Sequence, residues 1–295
     1  MLTISKKDKI YKMSKNNPPV AKVPSGSVVI FETSDAFNDQ ITSEEQGIAT
    51  LDWNHVNPAT GPLYIEGAMP GDVLKIEIQE INVADYGVTA AIPGAGIFGD
   101  QVKNPQVKIL DVKDGYVKFN DKIRVPIKPM IGVIGVAPEA CDIPCGTPDV
   151  HGGNMDNKLI TAKTTLYLPV FHPGALLAMG DLHAAMGDGE VMVTGLEIAG
   201  QVKVKVDVIK GKTIKHPRLE TATHFYTIAS HADLLEATKL ATTEMLNIVM
   251  EKCELSFNEA GMLLSMAGDT QIAQVVDPLL TARFAMSKDI LPVMF

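Results

Sequence analysis

Alternation of apolar and polar side chains is the feature that most limits the folds open to this chain. Across Gln201–Ile209 every second residue is valine, and most residues between the valines are charged. Asp72–Ile81 alternates in the same way. Because a period of two places successive side chains on opposite faces of a strand, each segment predicts a β-strand with one buried face. Lys210-Gly211-Lys212 predicts a turn into a hairpin with Thr213–Lys215.

Short apolar segments separated by Gly and Pro fill much of the first two thirds of the chain. They predict further strands at Ser27–Thr33, Gln106–Leu110, Gly115–Phe119, Thr164–Pro169, Ala175–Met179 and Glu190–Leu196. Many short strands joined by turns are typical of a sandwich or barrel rather than a parallel α/β sheet. We therefore predict a mainly β, β-sandwich-like body.

The pattern changes near Pro217, where helical spacing begins. Ser230–Asp233 has the form of a capping box and predicts a helix to about Cys253. Ser256–Glu259 is a second capping box and predicts a shorter helix that Gly268 ends. The predicted organisation is a β body at residues 1–216 and a C-terminal α/β segment at residues 217–295, packed on that body.

Composition excludes several classes of protein. The net charge of −9 argues against nucleic-acid binding, which requires clustered cationic side chains. No apolar stretch reaches the roughly 18 residues of a membrane span, and the N-terminus lacks a signal-peptide core. The chain has three cysteines, too few for a disulfide framework, which fits a reducing compartment. We expect a cytoplasmic protein that binds neither nucleic acid nor membrane.

The segment Gly180–Glu190 contains the densest group of residues that could bind a metal or transfer a proton. Asp181 and His183 are two residues apart, so on a strand their side chains would share one face. Carboxylate and imidazole together suit a divalent cation. The alternative is a polar turn between strands, since Gly and Asp are common turn residues.

A second polar segment, Asp149–Lys158, contains paired glycines followed by Asn154 and Asp156. Asp156 could act as a ligand or a base, and the N–H groups of Gly152 and Gly153 could stabilise an oxyanion. The alternative is a glycine-rich loop with its usual turn residues.

Three other residues are weaker candidates. Asp35 follows a predicted strand, where site residues and simple turns are both common. His55 lies in a proline-bounded loop and could equally be structural. Glu139 follows Ala137-Pro138 and is a further possible base.

Six segments follow one another along the chain: Asn57–Pro62, Glu66–Asp72, Gly132–Pro138, Gly152–Asp156, Leu168–Val170 and Gly180–Glu190. Taken in order, they resemble successive blocks of the acetamidase/formamidase family. The resemblance implies a β-sandwich-like fold, homo-oligomer formation, and hydrolysis of small aliphatic amides to a carboxylate and ammonia. It also implies metal ions, zinc and in some members calcium.

Roles within such a site follow from chemistry rather than from the resemblance. The predicted metal ligands are Asp181, His183, Asp35 and His55. Glu190 and Asp156 are the predicted proton carriers, and Gly152–Gly153 the predicted oxyanion donors. Two alternatives remain: a non-catalytic β-sandwich that binds a metal or small ligand, and a hydrolase of another C–N bond such as a cyclic imide. Apolar residues of the helical segment predict a homodimer or higher homo-oligomer.

Overall fold

Two β-sheets lie face to face, and two helices cover part of the outer side of one sheet. The computed structural model describes all residues, 1–295. A core cluster of 35 buried residues fills the space between the sheets. A second cluster of 15 buried residues lies beneath the helices. The architecture is therefore a sandwich with a third, helical layer.

The strands are listed here in chain order: β1 (Leu2–Ile4), β2 (Lys9–Ile10), β3 (Lys12–Met13), β4 (Ala21–Pro24), β5 (Ser27–Thr33), β6 (Ala59–Glu66), β7 (Val73–Val83), β8 (Tyr86–Ala91), β9 (Gln106–Lys113), β10 (Tyr116–Lys118), β11 (Arg124–Pro126), β12 (Met130–Gly135), β13 (Ile143–Pro144), β14 (Gly152–Asn154), β15 (Thr164–Pro169), β16 (Leu177–His183), β17 (Glu197–Ile198), β18 (Gly200–Ile209), β19 (Arg218–Glu220), β20 (His224–His231), β21 (Gly268–Gln274) and β22 (Leu280–Ser287). The helices are α1 (Leu234–Cys253) and α2 (Phe257–Ala267), and short 3-10 turns occupy Trp53–His55 and Gly99–Gln101.

The first sheet has nine strands in the order β1-β5-β18-β7-β15-β19-β20-β22-β21. Its centre is built by the alternating segments, because β18 pairs along its length with both β5 and β7. Val202, Val204 and Val206 are fully buried, which places one face of β18 in the core between the sheets. The last four strands of this order come from the C-terminal segment, so that segment continues the same sheet.

The second sheet has eleven strands, with β16 at its centre. β12 pairs along one edge of β16, while β6 and β17 pair along the other. Every residue of β16 is buried, because it lies between neighbouring strands and faces the first sheet. This position carries the end of β16, with Asp181 and His183, into the interior of the protein.

The helices begin at side-chain caps. Asp233 accepts a hydrogen bond from the Glu236 N–H at the start of α1, and Ser256 with Glu259 forms the predicted capping box of α2. Met245 and Ile248 on α1 pack in the cluster above β20 and β22. Neither helix is both long and apolar enough to cross a membrane.

The predicted mainly β, sandwich-like body with two C-terminal helices is confirmed. The predicted hairpin is wrong: Thr213–Lys215 forms no strand, because β5 and β7 already occupy both edges of β18. The strand predicted at Glu190–Leu196 is also wrong, since Glu190 and Val193 have φ of 47° and 70°, which an extended strand cannot adopt. The division of the chain at residue 216 stays a prediction.

Packing of α1 on the sheet can be tested at Met245, which is fully buried. Met245→Ala should lower the free energy of unfolding by about 2–4 kcal/mol, because it leaves a cavity in the cluster beneath the helices. Leu235, on the same helix, is 61% exposed. Leu235→Ala should therefore change the free energy of unfolding by less than about 0.5 kcal/mol. Urea denaturation measures both; equal losses would contradict the packing described here.

Candidate metal centre

The end of β16 brings Asp181 and His183 together. Asp181 Oδ1 lies 3.5 Å from His183 Nε2, and both side chains are at most 4% exposed. Leu182, between them, belongs to the hydrophobic core. The two polar side chains therefore turn away from the core and into a common polar space.

Three more carboxylates reach the same imidazole nitrogen from other parts of the chain. Glu197 Oε2 on β17 lies 2.9 Å from His183 Nε2. Asp156 Oδ1, in the loop after β14, lies at 3.7 Å, and Glu190 Oε1, in the loop after β16, lies at 3.8 Å. All of these side chains are at most 3% exposed. A fifth carboxylate, Asp277, comes from the segment between β21 and β22 and interacts with Asp156.

We call these six residues, Asp156, Asp181, His183, Glu190, Glu197 and Asp277, the acidic cluster. Its members come from five separate segments of the chain. Sequence reasoning found four of them and missed Glu197 and Asp277. Glu197 carried a usable signal, because it is a charged residue inside the apolar run Leu196–Ala199. Asp277 precedes a proline and looked like an ordinary turn residue.

Burial governs the protonation of the acidic cluster. Burial raises the pKa of Asp156 to about 6, and it raises the pKa values of Glu190, Glu197 and Asp277 well above their ordinary range. Burial also raises the Asp181 pKa, but His183 outweighs it and the net pKa is lowered. For His183 burial acts to lower the pKa, but Glu197 and Asp181 raise it well above its usual value. Five carboxyl groups around one imidazole thus require protons or a cation.

The arrangement fits a metal ion. Asp156, His183 and Glu190 form one set, and Asp181, His183 and Glu197 a second; in each set the candidate ligand atoms lie within 4.8 Å of one another. Bonds of about 2.0–2.2 Å to one tetrahedral ion would separate ligand atoms by about 3.3–3.6 Å. The distances from His183 Nε2 to the nearest oxygens of Glu197, Asp181, Asp156 and Glu190 are 2.9, 3.5, 3.7 and 3.8 Å, which lie on both sides of that range.

Carboxylate oxygens without a hydrogen-bond partner also indicate a cation site. Four buried carboxylate oxygens of the acidic cluster have no hydrogen-bond partner: Asp156 Oδ1, Asp181 Oδ1, Glu197 Oε2 and Asp277 Oδ2. Although Glu197 Oε2 lies close to Nε2, the contact is not aligned as a hydrogen bond. A buried, unsatisfied carboxylate oxygen is costly, so these atoms would be stabilised by direct coordination of a cation.

The backbone is strained at the acidic cluster. Asp156, Asp181 and Glu190 have φ of 38°, 54° and 47°, in the left-handed region that non-glycine residues seldom adopt. Each such residue costs on the order of 1 kcal/mol or more and persists only where surrounding contacts hold it. Three of the twelve non-glycine residues with positive φ therefore lie in this one cluster.

Gly132 on β12 provides the space that the carboxylates occupy. A Cβ added to Gly132 would lie 2.5 Å from Asp156 Oδ1 and 2.6 Å from Asp181 Oδ2. Any larger residue would therefore displace both carboxylates. The glycine is required here by close approach, since its φ is not positive.

A cavity of about 130 Å³ opens on the acidic cluster. All six cluster residues line its polar side. Phe37, Trp53, Ile92 and Val193 contribute to an apolar side. The cavity can hold a small molecule with one polar and one apolar end.

Two predicted metal ligands do not join the acidic cluster. His55 is half exposed; its Nδ1 lies 2.5 Å from Asp52 Oδ2, and its ring packs edge-on against Tyr11. Asp35 is buried, but its Oδ1 accepts a hydrogen bond from the Asp39 N–H at 2.7 Å. Burial raises the Asp35 pKa to about 6, and Asp181 contributes only a distant repulsion. The structure therefore brings neither residue to His183.

The predicted oxyanion donors and the further base also lie elsewhere. Gly152 and Gly153 pair with β12 and do not line the cavity. The Gly152 N–H donates to the Asp149 carbonyl oxygen, and a Cβ there would lie 2.3 Å from the Ile134 carbonyl oxygen. Both glycines thus permit close strand packing beside the site, where Asn154 lines the cavity instead. Glu139 is exposed and outside the cavity.

Gly132 provides a direct test of how closely the carboxylates pack. Gly132→Ala should lower the free energy of unfolding by about 1–3 kcal/mol, because its methyl group overlaps two buried carboxylates. Gly261→Ala is the matched control: a Cβ at Gly261 meets nothing within 4 Å, and the residue lies within α2. That change should raise stability by up to about 1 kcal/mol. Thermal or urea unfolding measures both, and a neutral Gly132→Ala would contradict this packing.

Comparison with known proteins agrees with the fold. The model of the Acetamidase/Formamidase family matches residues 7–144 and 143–290. An acetamidase structure from Bacillus halodurans is 49% identical, with 99% of each chain covered and a TM-score of 0.97. A predicted acetamidase/formamidase from Thermoanaerobacter tengcongensis is 48% identical over 99% of this chain and 97% of its own, also with a TM-score of 0.97.

A curated relative is longer than this chain. The formamidase of Methylophilus methylotrophus is 26% identical over 258 residues, which cover 68% of this chain and 63% of the formamidase. The match thus spans less than two thirds of that enzyme. The family model nevertheless matches nearly the whole of the present chain. This protein is a member of the acetamidase/formamidase family.

Proposed function

We propose that this protein hydrolyses small aliphatic amides to a carboxylate and ammonia at a divalent cation. The observation that carries the proposal is the acidic cluster itself, in which four buried carboxyl groups, a partly buried fifth and one buried imidazole surround a cavity of about 130 Å³. Membership of the acetamidase/formamidase family supports the choice of amides as the substrate class.

Asp181, His183 and Glu197 are the proposed ligands. His183 and Glu197 are register partners on adjacent strands, so the sheet holds both side chains rigidly. His183 Nδ1 contacts Met186 Sδ at 3.3 Å, which leaves Nε2 for the cation. A mixed nitrogen and oxygen set favours zinc, whereas calcium prefers oxygen alone. These ligands replace the predicted set with Asp35 and His55.

Glu190 and Asp156 remain the proposed proton carriers. When bound, the cation would polarise the amide carbonyl and lower the pKa of a water molecule. The Gly195 N–H donates to Glu190 Oε1 at 2.9 Å and orients that carboxyl toward the cavity. Glu190 can accept a proton from the attacking water and pass it to the departing nitrogen, which leaves poorly unless protonated. Asp156, beside Asp277, can take part in the same proton exchange.

Direct attack by water fits the residues around the cavity. Thr194 is the one lining residue with a hydroxyl group, and no cysteine lines the cavity. Thr194 Oγ1 accepts from the Ala90 N–H at 3.0 Å and lies 3.2 Å from the Ala90 carbonyl oxygen, so it is already engaged. The buried Cys145 thiol has its pKa raised to about 12 by burial, which makes it a poor nucleophile.

The size of the cavity supports substrates with short acyl chains. Its apolar side would contact a methyl or ethyl group, while the amide would face the acidic cluster. A self-associating surface is also proposed on α2, where Phe257, Met262 and Met266 are 64%, 59% and 79% exposed. The cytoplasmic location stays a prediction.

The proposal is tested by metal content together with ammonia release from formamide, acetamide and propionamide. His183→Ala should lose the cation and lower kcat/KM at least about 100-fold while the protein stays folded. His55→Ala is the matched control and should retain its metal. Elemental analysis, circular dichroism and an ammonia assay measure these results.

Two outcomes would contradict the proposal. Wild-type protein that stays fully active after chelation, with no metal detected, would exclude a metal-dependent reaction. Metal-loaded protein that releases no ammonia from any of the three amides would favour a binding protein; turnover of a cyclic imide alone would instead favour another C–N bond.

The proton-carrier role predicts a different result at Glu190. Glu190→Gln should lower kcat about 10²–10⁴-fold and leave the metal bound, because the amide is nearly the same size but cannot exchange the proton. Glu139→Gln, on an exposed residue outside the cavity, should leave kcat unchanged. Initial rates with metal content measured in parallel test the pair, and full activity of Glu190→Gln would exclude this role.

A further inference from the structure

A buried arginine outside the acidic cluster connects the two segments that carry the proposed proton carriers, Asp156 and Glu190. Arg283 on β22 is 2% exposed and belongs to the C-terminal segment. Its Nη1 donates to Asn157 Oδ1 and its Nη2 donates to Asp188 Oδ2, both at 2.8 Å. Its Nε donates to Gln271 Oε1 on β21 at 2.7 Å. One planar group thus binds the loop that contains Asn157 (the first loop), the loop that contains Asp188 (the second loop) and the neighbouring strand β21.

Both loop contacts lie beside strained residues of the cluster. Asn157 directly follows Asp156, and Asp188 lies two residues before Glu190. Because Asp156 and Glu190 have positive φ, each loop would relax to an ordinary conformation unless other contacts prevented it. The guanidinium contacts supply such restraint on both loops at once.

Strands β21 and β22 form an antiparallel hairpin, here called the C-terminal hairpin, whose backbone also holds the second loop. The Gly189 N–H donates to the Ala273 carbonyl oxygen at 2.7 Å, and the Val275 N–H donates to the Gly189 carbonyl oxygen at 3.2 Å. Lys158 Nζ also pairs with Asp188 Oδ2, at 2.9 Å, and so connects the first loop to the second. Arg283 is the buried member of this arrangement, since the Lys158 side chain is 31% exposed.

We propose that Arg283 is a positioning residue, which holds Asp156 and Glu190 facing His183 by fixing their two loops against the C-terminal hairpin. This inference rests on the proposed function for its kinetic consequences, but its structural consequence is independent of it. A lysine could not replace the arginine, because a single ammonium group lacks the planar fork that reaches both loops.

The test compares Arg283→Gln and Arg283→Lys with Arg218→Gln. Arg218 is the matched control: it is a buried arginine in the same sheet, but its contacts are with Glu244 and the Met294 carbonyl oxygen rather than with either loop. Both Arg283 variants should lower kcat about 10–100-fold with KM changed less than about threefold, and should keep their metal. Arg218→Gln should lower the melting temperature and leave kcat of the folded protein unchanged.

Hydrogen exchange provides a readout that does not depend on activity. In both Arg283 variants, amides of residues 153–158 and 186–192 should exchange faster together, while Arg218→Gln should leave both segments as in the wild type. If the wild type releases no ammonia, the proposed function fails but this exchange result still tests Arg283. The proposal would be overturned if Arg283→Lys kept the kcat and the exchange rates of the wild type. It would also be overturned if Arg283→Gln and Arg218→Gln changed kcat and exchange to the same extent.

Single-contact variants keep the proposal testable if the Arg283 variants do not fold. Asn157→Ala removes one contact and Asp188→Asn weakens the other, so each should speed exchange in its own loop and lower kcat in part. The double variant should lose less than the product of the two single effects, because both act through one guanidinium. Independent, fully multiplicative losses would contradict a shared positioning role.

Discussion

Burial of more carboxyl groups than one imidazole can neutralise is the constraint on which this structure depends. Asp156, Asp181, Glu190 and Glu197 are buried beside His183, and the partly buried Asp277 joins them at the same cavity. Carboxylates removed from water are unstable unless they are protonated, paired or bound to a cation. The raised pKa values of Asp156, Glu190, Glu197 and Asp277 and the unpaired carboxylate oxygens of the cluster are two consequences of that imbalance. A cation at this point would balance the charge and act as the Lewis acid of the proposed amide hydrolysis.

The rest of the fold holds this unfavourable cluster in place. The two sheets bury a large apolar core, and the end of β16 carries Asp181 and His183 into a space that Gly132 leaves open. The strained conformations at three cluster residues persist because strands and hydrogen bonds surround them. The C-terminal segment is part of the site as well, since it contributes Asp277 and the buried Arg283. A helical layer then covers the outer side of the sheet to which that segment belongs.

The sequence predicted some elements closely and others not at all. Ser27–Thr33 and Thr164–Pro169 were predicted with their observed bounds, because turn residues delimit each apolar run. Ser230 was predicted to open the capping box of α1. Ser230 lies within β20, however, and Asp233 is the cap. Glu190–Leu196 has the composition of a strand, yet positive φ at Glu190 turns its carboxyl into the cavity. Local pattern cannot reveal a backbone conformation that only distant contacts sustain.

The sequence by itself determined the mainly β character, the two helices, the resemblance to a family, and the local pair Asp181 and His183. These follow from spacing within one segment, where strand geometry decides which side chains share a face. Only the tertiary structure decided which distant residues join that pair. It brought in Glu197 and Asp277, left His55 paired with Asp52, and kept Asp35 bound to its own turn. The reason is physical: the register between strands and the path of each loop are set by long-range packing, and residue spacing along the chain does not encode them.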